Sequence, residues 1–378
     1  MFVRKIIFLK ESILTKRDFE RYKFNDFIQN SYDISVLDLT SFNNSDYRED
    51  ADVYSIAKDR VFSPLTKQEI LNYIKGIDQN SIIISLSRVN YKTLFIYKNL
   101  FKIGIKFGFI CLGTTPDVYL NFRKKSLRSL FRKIKNKILQ KLYGIHSDFY
   151  IVGSKSDVLN SSNHTLFNKR SRHIHYNNLD YDIYVENEKL NNKNLLTKKY
   201  AVFLDEYVVH HPDYNISGIS AVGNSYYSEL NRFFSEIENK YSVKVVIAAH
   251  PRSRYDKIGN PFQGREIMKF KTIDLVKYSE FVLAHASTAI TMSVIYKKPI
   301  VSLTSSNYHH TYINSIKLFS ETLSGTLIDL STENYRLPNS LEINNKAYEV
   351  FHENYINYKN SNNLSLVKLI QDYINTCI

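Results

Sequence analysis

Cysteine and long hydrophobic runs are both scarce in this chain of 378 residues. The two cysteines, Cys111 and Cys377, cannot form a disulfide framework or a cysteine-based metal cluster, so we expect a reducing compartment. Two charged residues stop the apolar run Ile6–Leu9 far short of a signal-peptide core, and we expect a first strand there. The longest weakly charged stretch, Phe281–Tyr296, is shorter than the ~20 apolar residues that a membrane-spanning helix needs. These absences predict a cytoplasmic protein without a transmembrane segment.

Sequence motifs of several enzyme classes are also missing. The chain has no Walker loop, no GxGxxG, no HExxH, no GxSxG and no clear DxD pattern for a metal-bound nucleotide sugar. The adjacent His309 and His310 lack further ligands at a metal-binding spacing, so we expect them in a solvated loop. The sequence therefore predicts neither a bound metal nor a cofactor.

Acidic residues are fewer than basic ones, and the basic excess is concentrated in one segment. The chain has 51 Lys and Arg against 37 Asp and Glu, a formal net charge of +14. Residues 121–143 have apolar side chains at helical spacing and nine basic residues with no acid among them, which predicts a basic amphipathic helix. The basic residues expected to face a partner are Arg123, Lys124, Lys125, Arg128, Arg132 and Lys133.

The partner of this helix is expected to be anionic, because like charges along a helix repel one another. An anionic membrane leaflet is favoured, since each Lys or Arg close to it contributes about 1 kcal/mol of binding. A solvated helix packed on its own domain is the plainer alternative. Nucleic acid is not expected as a partner, because no helix-turn-helix, zinc finger or aromatic RNA-binding signature accompanies the charges.

Short apolar runs alternate with longer amphipathic segments along the chain, which is typical of α/β proteins with parallel sheets. The predicted strands of the first half are Lys5–Leu9, Ile34–Leu39, Ser81–Leu86, Lys106–Leu112 and Phe149–Val152. Those of the second half are Tyr200–Leu204, Lys244–Ala248, Glu280–Ala284, Pro299–Leu303 and Thr326–Ile328. The predicted helices are Phe19–Gln29, Lys67–Ile77, Tyr91–Ile103, Ser225–Lys240 and Ile273–Lys277.

This pattern predicts two Rossmann-type domains, because one hydrophobic core rarely organises a chain of this length. Residues 1–176 form the first predicted domain and residues 200–378 the second. The Asn-rich residues 177–199 between them are predicted to be a linker. The last predicted helix, Ser365–Ile378, either caps the second domain or crosses back to the first.

Two acids follow the first predicted strand of the second domain, at the end where parallel sheets place their ligands. Asp205 and Glu206 come directly after Tyr200–Leu204. A carboxylate that is partly shielded from water there has the basicity that a general base needs. Capping of a loop or helix by a single acid is the common alternative.

Groups suited to a phosphate follow two further predicted strands of this domain. His250, Pro251 and Arg252 come just after Lys244–Ala248, and imidazolium and guanidinium groups both donate to phosphate oxygens. Ser287 and Thr288 follow Glu280–Ala284 and are expected to open a helix. In that position they either hold an anion or act as an ordinary helix cap.

At these residues the sequence resembles the bacterial GT-B glycosyltransferases of the sialyltransferase-like group, which use CMP-activated acidic sugars. The acidic motif of that family corresponds to Asp205 and Glu206, its HP motif to His250 and Pro251, and its paired Ser/Thr motif to Ser287 and Thr288. The resemblance covers mainly residues 200–305, and Tyr207 stands where the acidic motif has a glycine. It implies the GT-B fold, an α/β architecture with two Rossmann-type domains facing a central cleft.

The resemblance further implies a single inverting displacement without metal. Asp205 would be the general base that deprotonates the acceptor hydroxyl, with Glu206 as a supporting or alternative base. His250 would bind or protonate the departing CMP phosphate, and Ser287, Thr288 and Arg252 would hold that phosphate.

The implied donor is CMP-activated, a nonulosonic acid or Kdo, and the implied acceptor is a glycan or a lipid-linked glycan. Such a reaction serves surface polysaccharide synthesis, of O-antigen, capsule or lipooligosaccharide. It would take place at the inner face of the bacterial cytoplasmic membrane, to which the predicted basic helix would bind.

Two other functions stay open at the level of sequence. A CDP-glycerol-type glycerophosphotransferase of teichoic-acid synthesis also has two Rossmann-type domains, and it would carry an additional catalytic histidine in its acceptor half, for which we considered His146. A non-catalytic adaptor that anchors a glycan assembly complex at the membrane is the second alternative. Binding of CMP separates an enzyme from an adaptor.

Overall fold

A computed structural model describes residues 5–12, 14–43, 59–87, 89–116, 144–190, 194–210, 222–358 and 364–376. The chain divides into two compact units. The first unit comprises residues 1–112, 125–177 and 359–378, and the second comprises residues 113–124 and 178–358. Each unit is built around its own sheet, and all strand pairs in both sheets are parallel.

The sheet of the first unit has seven strands in the order β3-β2-β1-β4-β5-β6-β7. The strands are β1 Lys5–Lys10, β2 Asp33–Asp38, β3 Val61–Phe62, β4 Ser81–Ser85, β5 Lys106–Cys111, β6 Phe149–Val152 and β7 Arg172–His175. The central ones are nearly continuous runs of buried apolar residues, as expected of a parallel sheet covered on both faces.

Helices cover both faces of this first sheet. They are Lys16–Arg21, Phe24–Gln29, Thr40–Asn43, Lys67–Lys75, Leu94–Lys102, Lys155–Ser162 and Leu366–Thr376. The last of them packs Ile370 and Tyr373 into the cluster that contains Phe8 and Phe149, and the rings of Phe149 and Tyr373 lie 4.8 Å apart. The C-terminal helix therefore belongs to the first unit, which is the second of the two positions that the sequence left open.

The sheet of the second unit has six strands in the order β10-β9-β8-β11-β12-β13. The strands are β8 Tyr200–Leu204, β9 Lys244–Ala249, β10 Ile267–Lys269, β11 Phe281–Ala284, β12 Ile300–Thr304 and β13 Thr326–Asp329. Its helices are Leu179–Lys189, Tyr226–Tyr241, Tyr255–Ile258, Thr272–Tyr278, Ile290–Ile295, His310–Leu323 and Asn345–Phe351, followed by the π-helical turn His352–Ile356.

The predicted linker 177–199 is wrong in part, because Leu179–Lys189 form a helix of the second unit. Polar contacts help to hold this helix to its unit, since Leu179 is its one buried apolar side chain. Asn187 donates to Asp274 Oδ1 at 2.9 Å, and Thr291 donates to Asp180 Oδ2 at 2.6 Å.

The predicted basic helix 121–143, with Arg123, Lys124, Lys125, Arg128, Arg132 and Lys133, lies outside the described residues. Among the helices that the structure describes, none is long and apolar enough to cross a bilayer.

Candidate active site

The carboxyl ends of β9, β8 and β11 lie side by side at one edge of the second sheet. Leu204 of β8 pairs with Ala248 of β9 on one side and with Ala284 of β11 on the other. The residues that follow these strands therefore leave the sheet at the same level. Strand order reverses between β8 and β11, and ligands of open α/β sheets bind at such a switch point.

Asp205 is a buried carboxylate with three hydrogen-bond donors. Its Oδ1 accepts from the backbone N–H of Tyr207 at 3.0 Å. Its Oδ2 accepts from the hydroxyl of Tyr255 at 3.0 Å and from the backbone N–H of His250 at 3.4 Å. Burial raises the pKa of Asp205 to about 6, and these hydrogen bonds offset part of the increase. The side chain thus joins the end of β8 to the turn that follows β9.

Glu206 bridges the switch point between β8 and β11. Its Oε1 accepts from the backbone N–H of Ala286 at 2.8 Å and from the hydroxyl of Tyr312 at 3.2 Å. Burial raises the pKa of Glu206 to about 7, the two hydrogen bonds lower it, and the nearby charge of Asp205 raises it further. Glu206 is less buried than Asp205, and no described residue donates a hydrogen bond to its Oε2. One carboxylate oxygen is therefore fixed and the other is open.

His250 is half-buried in the turn after β9, and its tautomer is set by the backbone. The N–H of Arg252 lies 3.2 Å from His250 Nδ1. Because an amide N–H can only donate, Nδ1 is the acceptor and the neutral ring carries its proton on Nε2. The imidazole can therefore donate a hydrogen bond from Nε2. The side chain of Arg252 itself is exposed.

Ser287 and Thr288 precede a helix instead of opening it. The helix is Ile290–Ile295, and Ala289 occupies the N-cap position. Ser287 Oγ accepts from the backbone N–H of Ala289 at 3.3 Å, and Ser287 is half-buried whereas Thr288 is exposed. The carbonyl of Ser287 accepts from Ile290 N–H at 3.2 Å, a contact three residues apart that makes a tight turn before the helix. The two hydroxyl residues follow Ala286, whose N–H fixes Oε1 of Glu206.

His285, which the sequence analysis did not single out, is a fully buried neutral histidine beneath the site. Its Nδ1 donates to the carbonyl of Leu303 at 2.6 Å, and its Nε2 accepts from the hydroxyl of Tyr226 at 3.1 Å. Burial lowers the pKa of His285 to about 4, although the bond to Leu303 raises it. The ring supports the end of β11 and does not reach solvent.

The two tyrosines that donate to the acids were also missed. Tyr255 comes five residues after His250, and Tyr312 lies in the helix that follows β12. A single tyrosine in a chain with 29 of them carries no recognisable signal. His309 lies at the end of a loop, as expected, and caps the following helix because its Nδ1 accepts from the backbone N–H of Thr311, whereas His310 is the first residue of that helix.

The first unit contains histidines besides the half-buried His146, namely His164, His173 and His175. Tyr150 donates to His164 Nδ1 at 2.8 Å, and Ser161 pairs with His173 Nε2 at 2.9 Å. Burial lowers the pKa of His164 to about 4 and lowers that of His173 as well. Within the described parts of the chain, no group of three His, Cys, Asp or Glu side chains is placed to hold a metal ion.

No family model and no curated protein sequence matches the chain. Solved structures match the chain at low sequence identity. The wall teichoic acid polymerase TagF, as its H444N variant, is 11% identical with a TM-score of 0.53, over 99% of this chain and 89% of that one. MnaA of S. aureus with UDP is 12% identical with a TM-score of 0.49, over 99% of this chain and 96% of that one. The UDP-GlcNAc 2-epimerase of Methanocaldococcus jannaschii is 13% identical with a TM-score of 0.49, over 98% and 99%.

At sequence identities this low, the likeness shows the fold alone. Of the three structures, only that of TagF has a TM-score above 0.5. The likeness to TagF extends over both units, each of which is a parallel α/β unit. The predicted fold class, GT-B with two Rossmann-type domains, is confirmed.

Proposed function

We propose that the chain is an inverting, metal-independent glycosyltransferase that moves a sugar from a nucleotide-activated donor to a hydroxyl group, with Glu206 as its general base. The placement of Glu206 carries this proposal. Its Oε1 is held by Ala286 and Tyr312 at the switch point, and its Oε2 accepts nothing from the described residues. A fixed carboxylate with one open oxygen is suited to receive a proton from a substrate.

Asp205, the base that the resemblance implies, has a different environment. Both of its oxygens accept hydrogen bonds, and the side chain is only 4% exposed. A proton acceptor needs to reach the acceptor hydroxyl, directly or through one water molecule. We therefore assign Asp205 to positioning the turn that carries His250, and Glu206 to the proton transfer.

The proposed step is a single displacement. The acceptor oxygen forms a bond to the anomeric carbon as its proton passes to Glu206 Oε2, and the bond between that carbon and the donor phosphate oxygen breaks. His250 donates a hydrogen bond from Nε2 to the departing phosphate, whose charge Arg252, Ser287 and Thr288 help to stabilise. Hydrogen-bond donors that are already oriented stabilise developing charge without a metal. Turnover is therefore expected to survive treatment with EDTA.

The donor in this proposal is a CMP-sugar of an acidic, nonulosonic type, which the motifs at Asp205, His250 and Ser287 support through their family resemblance. CMP should raise the melting temperature more than UDP, GDP or ADP does. A ligand at 100 times its Kd stabilises by about 2.7 kcal/mol, which a melting curve resolves. Equal shifts with all four nucleotides, or a preference for a purine, would contradict the donor assignment. No shift with any nucleotide would favour the adaptor.

Glycerophosphate transfer is the second candidate, since the chain shares its fold with TagF, which is a wall teichoic acid polymerase by name. A CMP-sugar and CDP-glycerol both release CMP, so CMP binding does not separate the two reactions. Release of CMP from CDP-glycerol, with none from a CMP-sugar, would identify the phosphotransferase.

Two substitutions test which acid is the base. Glu206→Gln should lower kcat by roughly 10²- to 10⁴-fold, the usual contribution of general base catalysis, while the CMP-induced melting shift persists. Asp205→Asn should lower the melting temperature and weaken CMP binding together, because it loosens the turn at His250. In the unmodified enzyme kcat should rise with pH through about 7, the pKa of Glu206, and level off above it, where Glu206 is fully ionised. Near-normal turnover of Glu206→Gln, combined with an inactive but stable Asp205→Asn, would reverse the two roles.

A further inference from the structure

Four exposed cationic residues and one exposed aromatic residue lie at the end of the second sheet where the candidate active site is found. We call this group the basic rim, and it consists of Arg254, Lys257, Lys269, Phe270 and Lys271. It occupies the turn and short helix after β9 and the residues at the end of β10. Asp256 is the one acid within these two stretches.

Strand register places the basic rim beside His250. Lys269 of β10 pairs with Ala249 of β9, so Phe270 leaves the sheet next to His250. Lys269 Nζ also donates to the carbonyl of Ser253 at 2.7 Å, which joins the end of β10 to the turn after β9. The rim is thus tied to the same turn that Asp205 holds through the N–H of His250.

Phe270 is held outward by its backbone. Its φ is 62°, in the left-handed region that bulky side chains rarely adopt, and its side chain is 73% exposed. Lys269 Nζ lies 5.4 Å from the centre of its ring. A strained and exposed aromatic residue next to a candidate active site costs stability, and such strain is typical of ligand-binding positions.

The charges of the basic rim are not neutralised within the described residues. Arg254, Lys257, Lys269 and Lys271 form no ion pair with any residue that the structure describes. Four exposed cations and one exposed aromatic ring on two neighbouring stretches complement a ligand that carries regularly spaced negative charges and flat apolar faces. Sugar rings that bear carboxylates have both properties.

We infer that the basic rim binds an acidic glycan, the acceptor or product chain, and guides it past His250. This inference rests on the proposed function, because it names the substrate class of the same site. Carboxylates of successive sugar units would pair with the four cations, and the apolar face of one ring would lie on Phe270. An enzyme with this rim elongates or modifies a polymer that is already negatively charged.

Fluorescently labelled oligogalacturonate, a chain of carboxylated sugars, serves as the probe, with dextran of equal length as the uncharged control. The test variant is Arg254→Gln/Lys257→Gln/Lys271→Gln. The matched control is Lys198→Gln/Lys199→Gln/Lys244→Gln, which removes the same charge at the amino ends of β8 and β9, the opposite edge of the sheet. Melting temperatures with and without CMP are measured for all proteins.

The unmodified protein should bind oligogalacturonate and not dextran, and added salt should weaken the binding. The rim variant should bind about tenfold more weakly and the control variant less than about twofold, because only contacts at the site add to the general attraction. Phe270→Ala should weaken binding at a salt concentration that screens the charges. The CMP-induced melting shift should be unchanged in the rim variant.

Several outcomes would overturn the inference. Failure of the unmodified protein to bind the acidic chain is the first. Equal loss of binding in both triple variants is the second, because it would mean that net charge alone attracts the chain. Loss of the CMP shift in the rim variant or in Phe270→Ala, with glycan binding kept, would place the rim in the donor site. Binding to anionic vesicles that is tighter than binding to the glycan, and that the rim variant abolishes, would show that the basic rim is a membrane contact. Glycan binding that depends on the basic rim, without any CMP-induced melting shift, would support the rim as a glycan site and contradict a CMP-sugar as the donor.

Discussion

The backbone of Tyr207 adopts a left-handed conformation at the position where the resembled acidic motif has a glycine. Its φ is 54°, its side chain is 6% exposed, and its ring packs edge-on against Tyr255 with the centres 5.3 Å apart. The side chain therefore contributes packing next to Asp205, while the backbone bears strain that glycine would not have. The ring of Tyr207 thus supports Tyr255, whose hydroxyl donates to Asp205.

Two substitutions at Tyr207 separate packing from strain. Removing the ring should cost about 3–5 kcal/mol in either case, as for other large buried aromatics. Tyr207→Gly should nevertheless be about 1 kcal/mol more stable than Tyr207→Ala, because only glycine releases the left-handed strain. Urea unfolding of the two variants measures the difference. Equal stabilities would mean that the backbone at this position leaves the left-handed region once the ring is gone.

Two helices of the first unit begin with the same kind of cap, one buried and the other at the surface. Ser154 and Thr66 each cap a helix with a reciprocal capping box, formed with Asp157 and Glu69. Asp157 is fully buried and accepts from the N–H groups of Gly153 and Ser154 at 3.1 and 3.0 Å, whereas the box of Glu69 lies at the surface. A lost cap leaves backbone donors without partners, which costs most where water cannot replace the bond.

Ser154→Ala should therefore destabilise the protein by about 1–2 kcal/mol and Thr66→Ala by about 0.5–1 kcal/mol. Chemical denaturation of both variants under one set of conditions is the measurement. A larger effect of Thr66→Ala would contradict the role given to burial.

The elements that the sequence predicts and those that it misses differ in physical character. The ten predicted strands agree with the structure to within one residue at each end. Nine of them lie inside the two sheets, where apolar runs are buried on both faces, and the tenth, β13, is an edge strand with one buried residue. The strands that were missed, β3, β7 and β10, lie at the sheet edges. β7 contains a single apolar residue, Ile174, and is held by its ladder to β6. The predicted helix Phe19–Gln29 is in fact two helices, because Lys23 has a left-handed φ of 57°.

The candidate site divides in the same way. Strand ends are predictable, so Asp205, Glu206, His250 and Ser287 come together as the topology requires. What the sequence does not contain is the deeper burial of Asp205 and the smaller burial of Glu206, whose Oε2 accepts no hydrogen bond from the described residues. That difference depends on Tyr255 and Tyr312, which reach the acids from distant parts of the chain.

At the scale of the whole molecule, the basic segment 121–143 lies outside the described residues, and we propose that it holds the protein at an anionic membrane surface. Replacing Lys124, Lys125, Arg128 and Arg132 by Gln should abolish sedimentation with vesicles that contain acidic lipid. Each of these charges is worth about 1 kcal/mol near such a surface. Turnover on a short soluble acceptor should remain. Equal binding to neutral and acidic vesicles would refute an electrostatic contact.

The two units should also respond differently to acid, because their buried titratable groups differ. His164 in the first unit and His285 in the second have pKa values of about 4, against 6.5 for an ordinary histidine. The unfolded chain therefore binds protons at these positions below pH 6.5, whereas the folded chain does so only below about pH 4. As the pH falls through this window, each histidine lowers the free energy of unfolding, by about 2 kcal/mol at pH 5.

The acids of the second unit act in the opposite direction. Asp205 and Glu206 have folded pKa values of about 6 and 7, above their ordinary 3.8 and 4.5, so the folded state binds their protons first as the pH falls. Acidification from pH 7 to 5 therefore stabilises the second unit at these residues and offsets the effect of His285. In the first unit burial raises the pKa of Asp148 and lowers that of His173. Their effects on stability in acid are therefore of opposite sign.

We therefore expect the first unit to lose stability before the second between pH 7 and pH 5. Hydrogen exchange followed by mass spectrometry, corrected for the intrinsic exchange rate, should show decreasing protection in β4, β5 and β6 while β8, β9 and β11 keep theirs. His164→Asn is the matched variant, since its Oδ1 can accept from Tyr150 and Leu166 as Nδ1 does and it cannot take up a proton. Protection of the first unit in His164→Asn should depend less on pH. The same pH dependence in this variant, or equal losses in both units, would show that His164 is not what makes the first unit sensitive to acid.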